Sequence, residues 1–155
     1  MVVVELDDVI DPERLMSVRQ AAQTRLGLLY DHRLVHRLSR LIIKHIRDGS
    51  IGAGLTKASL VADPTVPSWV SHHELLGYVL TLVALDSYES TGFFLSALVC
   101  PAYDSVMPTT GFRVFLENVG VVTSANAREE CLEVWDRHWK MTISYYDVPS
   151  ARAGG

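Results

Sequence analysis

Cysteine is scarce in this chain: Cys100 and Cys131 stand alone, too few for a disulfide framework or a thiolate zinc site. No apolar run approaches the roughly 18 residues needed to cross a bilayer. The opening Met1-Val2-Val3-Val4-Glu5-Leu6-Asp7-Asp8 lacks a basic stretch and brings in acids at once, so no signal peptide is expected. Glycine-rich phosphate loops are missing too, since Gly54-Leu55-Thr56-Lys57 is too short to be one. Ser96 lacks the Gly-x-Ser-x-Gly elbow that exposes a nucleophile. No internal repeat or low-complexity segment occurs. These absences set aside membrane proteins, disulfide scaffolds, P-loop enzymes and serine hydrolases. They leave the cytoplasm as the expected compartment, with no membrane contact and no cofactor expected.

What is present fits one domain. Its 155 residues, 48% hydrophobic and 21% charged, suffice for a core of their own. Residues 1–148 are expected to fold as one globular domain, and residues 149–155 to form a disordered tail. The net charge of −4 conceals an asymmetry. Residues 1–13 carry five acids and no base, residues 14–57 nine bases against two acids, and residues 58–155 five bases against eleven acids. A positive segment inside an acidic chain suggests either a polyanionic partner or a positive region that faces an acidic one.

The positive charge concentrates in His32 to Arg47. At about 100° per residue, Arg33, Arg37, Arg40, Lys44 and Arg47 fall within an arc of roughly 80°. Leu34, Val35, Leu38, Leu41, Ile42 and Ile46 occupy the opposite side, the pattern of a half-buried helix. Upstream, Asp11-Pro12 reads as a helix start, and Leu15, Val18, Ala22, Leu26 and Leu29 continue a stripe to Tyr30. The two segments predict an antiparallel helical hairpin; either Asp31 caps the second helix or the two helices run together with a kink, and Asp48-Gly49-Ser50 ends the second. Residues 2–6 fit a short strand or a frayed terminus.

Residues 50–70 predict mostly loop. Ser71-His72-His73-Glu74 reads as a capping box before a helix from Leu75 to about Asp86, apolar nearly all round and so central. Ser90-Thr91-Gly92 should end it. The apolar run Phe93 to Cys100, closed by Pro101, predicts a strand and with it a small sheet. After a loop, Thr110 is placed to cap a short helix with Phe112, Phe115, Leu116 and Val119 on one face and Gly120 as its stop. Val121-Val122-Thr123 fits a brief extended piece. Asn126 and Glu129 open a last helix with Cys131, Leu132, Trp135, His138 and Trp139 inward, and Met141 to Val148 predicts a closing strand. The fold class expected is therefore helix-rich α+β.

From Leu76 through Tyr146 the chain resembles a small prokaryotic domain: a helix, a Leu-Ser-Ala-Leu-Val strand, a Pro-x-x-Gly-Phe turn into a short helix, then a Trp-bearing helix. Here these are Leu95-Ser96-Ala97-Leu98-Val99, Pro108-Thr109-Thr110-Gly111-Phe112 and Trp135. Similar segments accompany HNH-type endonuclease and restriction-like regions in bacterial and phage proteins. The HNH pattern itself is missing from this chain. The resemblance implies an accessory domain of a defence or mobile-element system, without the nuclease, and transfers no catalytic residue.

Three chemistries remain to be weighed. His32 and His36 are one turn apart but lack a carboxylate or cysteine companion at ligand spacing, and His45, His72, His73 and His138 add no such set, so no metal site is expected. Ser96 and Cys100 lack an identifiable base, and a buried structural role is expected for both. The basic stripe is the candidate binding surface, comprising Arg33, Arg37, Arg40, Lys44 and Arg47. It suits a non-enzymatic interaction protein that meets an acidic protein surface or forms a homodimer. The alternative is a nucleic-acid-associated accessory protein gripping phosphates by the same face. Against that alternative stand the acidic chain as a whole and the lack of a helix-turn-helix recognition pattern.

Overall fold

A computed structural model describes residues 10–48, 55–101, 107–122 and 127–146. The expected strand at 2–6, the Gly49–Gly54 part of the loop, Asn126 as a helix start and the tail at 149–155 lie outside them. Among the described residues six α-helices follow in order: α1 (Pro12–Leu26), α2 (His32–Arg47), α3 (Lys57–Val61), α4 (His73–Thr91), α5 (Thr110–Asn118) and α6 (Ala127–Tyr146). Two short strands, β1 (Leu55–Thr56) and β2 (Val99–Cys100), pair in parallel, Leu55 opposite Val99 and Thr56 opposite Cys100. The fold is helix-dominated with a minimal sheet.

The organising element is α4. Leu76, Val79, Leu80, Leu82, Val83, Ala84 and Leu85 are buried on it, and they point in every direction around its axis. Hence α1 and α2 each pack chiefly on α4. The expected hairpin, in which α1 and α2 would lie on one another, gives way to two helices on a shared third. α1 fully buries only Ala22 and Leu26, with Leu15 and Val18 partly buried beside them. Arg19 fastens α1 to α4, its Nη1 2.8 Å from Asp86 Oδ1 and its Nη2 2.6 Å from Glu89 Oε1. Leu29, expected on the inward stripe, is exposed because α1 stops at Gly27, whose φ of 57° suits glycine.

The start of α4 differs from expectation. Ser71 lies in a 3₁₀ turn, Ser68–Ser71, and its hydroxyl donates to the Ser68 carbonyl at 2.8 Å. His72 takes the N-cap position, and Glu74 accepts from the Tyr78 hydroxyl at 2.9 Å. A local carbonyl outcompeted the helix for the serine. The end is as expected, with Gly92 left-handed at φ 89°.

The largest departure concerns residues 93–100. Only Val99 and Cys100 join a ladder, while Leu95–Leu98 form a 3₁₀ turn. Every residue from Phe93 to Cys100 is buried, so the backbone polar groups need partners that a strand would have found in a sheet. Side chains supply them. Ser87 Oγ accepts from Leu95 N–H at 2.9 Å and donates to the Phe93 carbonyl. His138 Nδ1 accepts from Phe94 N–H at 2.8 Å, and its ring stacks on Phe94 with centroids 4.4 Å apart. Trp135 Nε1–H donates to the Ala97 carbonyl at 2.8 Å.

α6 runs on through Met141 to Tyr146 as helix, where a closing strand was expected; residues 147–148 lie outside the described residues. Trp139, Ile143 and Tyr146 pack on the core at i, i+4, i+7 spacing, and Thr142 donates to the His138 carbonyl at 2.6 Å. The inward set also changes: Leu132 is 45% exposed, and Val134 is buried in its place. At α5, Thr109 rather than Thr110 is the cap, accepting from Phe112 N–H at 3.0 Å.

Ser87→Ala removes both bonds of one hydroxyl and leaves a buried N–H and a buried C=O without it. Chemical denaturation should show a loss of about 2–4 kcal/mol. Ser90→Ala, one turn along at the exposed rim, should stay within about 0.5 kcal/mol of wild type. Equal midpoints for Ser87→Ala and wild type would contradict this account of the buried turn.

Candidate interaction surface

The stripe at 32–47 is helical and outward-facing. Asp31 caps it, accepting from Arg33 N–H at 2.9 Å, and Leu34, Val35, Leu38, Ile42 and Ile46 are buried. Leu41, expected with them, is half-buried at the edge. Arg33, Arg37, Arg40, Lys44 and Arg47 are all exposed. Burial of the aliphatic face fixes which way the cations point, since turning them inward would strand unpaired charge.

The five cations differ in what holds them. Arg33 Nε lies 3.4 Å from Asp31 Oδ1, a long contact within the cap. Lys44 Nζ lies 2.7 Å from Asp48 Oδ2, one turn on, which raises its pKa. Arg47 sits over the Tyr146 ring, 5.7 Å from its centroid, and so belongs to the contact with α6. Arg37 and Arg40, at the middle of the stripe, make no hydrogen bond or ion pair among the described residues. Asp63 is near enough to feel Arg37 and Lys44. Its carboxyl is held below the usual range, first by the Thr65 hydroxyl, then by Thr65 N–H, and less by those two cations.

Four of the five expected residues thus come together. Arg33, Arg37, Arg40 and Lys44 line an open groove of ≈ 560 Å³ with His32 and His36, closed on one side by Thr65. Arg47 is turned away to α6. Among the described residues no ion pair joins Arg37 or Arg40 to Glu129, Glu133 or Asp136, and Asp136 is bound to Lys140 at 2.8 Å.

The other candidates have structural places. His138 is fully buried against Phe94, and His45 is half-buried. His32, His36, His72 and His73 are exposed, and no three His, Cys, Asp or Glu side chains gather to hold a metal among the described residues. Burial pushes the Cys100 and Cys131 thiols up, away from the thiolate form. Ser96 is buried, at a pocket shared with Lys57, Thr109 and Gly111. Those residues come from α3, a 3₁₀ turn and α5, so no local spacing could announce them. The segments that carry the resemblance serve the core: Ala97 accepts from Trp135, and Phe112 packs edge-on to Phe94.

Compared with known proteins, the chain matches no family model, no curated protein and no solved structure. Among the described residues no helix is long and apolar enough to cross a membrane.

The Asp31 cap carries a pH signature. Its carboxyl is held below the ordinary aspartate value, first by Arg33 N–H and then by the Arg33 side chain. The unfolded chain therefore binds a proton first as pH falls. The cap's contribution is present above the ordinary aspartate value and is lost as pH drops through the lower, folded one. Asp31→Ala should be less stable than wild type at neutral pH, and the gap should close below about pH 4. A gap undiminished at about pH 2 would contradict the cap.

Proposed function

We propose that this chain is a non-enzymatic interaction protein that docks through the α2 face, Arg33, Arg37, Arg40 and Lys44, on an acidic protein surface. A second copy of the chain offers one such surface, because Glu129 and Glu133 are exposed on α6. The observation that carries this reading is that Arg37 and Arg40 stand exposed and without ion-pair partners among the described residues, flanked by two further cations. A charged stripe of this kind raises encounter rates and selects partners by sign, more than it adds raw affinity. On the resemblance alone, the setting proposed is accessory work in a bacterial or phage defence or mobile-element system.

A second reading has its own support. Three of the four cations in the groove are arginines, whose planar forks match phosphate oxygens as well as carboxylates. A nucleic-acid backbone is then the alternative partner.

Sedimentation at low and moderate salt separates these. Wild type and Arg37→Glu/Arg40→Glu are run alone, with poly-glutamate, and with a short DNA duplex. The proposal expects self-association or poly-glutamate binding that weakens with salt and falls at least about tenfold in the double variant. Binding of the duplex but not of poly-glutamate would replace the acidic-protein reading with the phosphate one. Identical behaviour of variant and wild type would remove α2 from any binding role.

A further inference from the structure

A second site lies apart from the cationic face of α2, at the small pocket between α3, α4, α5 and the 3₁₀ turn. We propose that Lys57, Ser96 and the N-terminus of α5 bind the phosphate group of a small organic monoester, whose body lies in the groove between α1, α4 and α5.

Three independent observations meet there. Lys57 is half-buried, and no acidic side chain pairs with it among the described residues. Burial alone pushes its ammonium below the ordinary lysine value, with no carboxylate to offset the loss of water. The ammonium also sits at the first turn of a helix: a Cβ built on Gly111 would lie 3.8 Å from Lys57 Nζ. That turn is the positive end of the nine-residue α5, so cation and helix dipole repel unless an anion lies between them. Thr109 satisfies Phe112 N–H, which leaves the N–H groups of Thr110 and Gly111 without partners in the helix.

Ser96 supplies the third. It is 6% exposed, lines the pocket, and its hydroxyl has no hydrogen-bond partner among the described residues. The residue is buried, yet its oxygen is not sealed off and opens on the pocket. Unlike the surrounding backbone groups, which Ser87, His138 and Trp135 serve, this hydroxyl can bond either water or a ligand in the pocket. The pocket, ≈ 50 Å³, has room for a group of a few heavy atoms. An oxyanion there accepts from Lys57, from Ser96 and from the first-turn amides together, the usual chemistry of phosphate at a helix start.

The shape extends the ligand. Gly77, Thr81, Gly111 and Phe115 line both this pocket and a wider groove of ≈ 620 Å³. Along that groove Val18, Ala22 and Val114 offer apolar surface, and Arg25 stands in its wall. A phosphate with an organic body fills both, and free phosphate fills only the inner pocket. The site shares no residue with the cationic face of α2, so the two proposals stand or fall separately.

Amide NMR of the whole chain, titrated with phenyl phosphate, inorganic phosphate and phenol, tests it. Phenyl phosphate should shift Thr110 and Gly111 saturably and bind about tenfold more tightly than inorganic phosphate. Phenol should leave both amides unmoved. Lys57→Met should abolish the shifts while its spectrum stays folded, and Ser96→Ala should weaken binding several-fold. Arg37→Glu/Arg40→Glu should titrate as wild type. Shifts that do not saturate, that survive in Lys57→Met, or that phenol reproduces would overturn the proposal.

Discussion

The structure depends on how one buried stretch, a 3₁₀ turn and its approach, satisfies its backbone. Phe93 to Leu98 passes through the interior between α4 and α6, where an unpaired N–H or C=O costs as much as a lost hydrogen bond. Ser87 from α4, with His138 and Trp135 from α6, close four of those groups: the Phe93 and Ala97 carbonyls and the Phe94 and Leu95 N–H groups. The closure also fixes a tautomer. An Nδ1 that accepts from Phe94 N–H carries no proton, so the neutral His138 ring bears it on Nε2. The stacking of that ring on Phe94, and of Phe115 edge-on to Phe94 at 5.0 Å, ties α5 into the same knot.

From this closure the rest takes its place. The turn delivers Val99 and Cys100 to pair with Leu55 and Thr56, and the next residue, Lys57, begins α3. The two-residue ladder is too short to stand alone. Its role is positional: it brings Lys57 beside Ser96 and the start of α5. α4 also gives α2 an apolar seat, and the amphipathic pattern of α2 then leaves its cations in water. The described residues thus carry two surfaces of different character, an open cationic groove and a half-enclosed pocket.

Legibility followed the range of the interactions. The amphipathic turn pattern of α2 and the Asp11, Asp31, Gly92 and Gly120 punctuation are local, and all of them are found where sequence places them. The apolar girth of α4 was equally plain. Residues 93–100 read as a strand because apolar runs in strands and in buried turns look alike. What decides between them is a pair of hydrogen bonds reaching 38 and 44 residues along the chain. Met141 to Tyr146 read as a strand for its aromatic content, whereas Trp139, Ile143 and Tyr146 keep helical spacing. Four of the five cations of the stripe share one groove, as helical spacing implies, whereas Arg47 lies over Tyr146, a contact between distant segments. The Lys57 pocket left no trace in sequence, since its parts are single residues on three elements.

The hydrogen-bond closure of Phe93 to Leu98 is measured most directly by native-state hydrogen exchange at the amides of Phe94 and Leu95. The account predicts that both exchange only with global unfolding, as slowly as the buried amides of α4. Exchange at the pace of an exposed loop, while α4 stays protected, would contradict it.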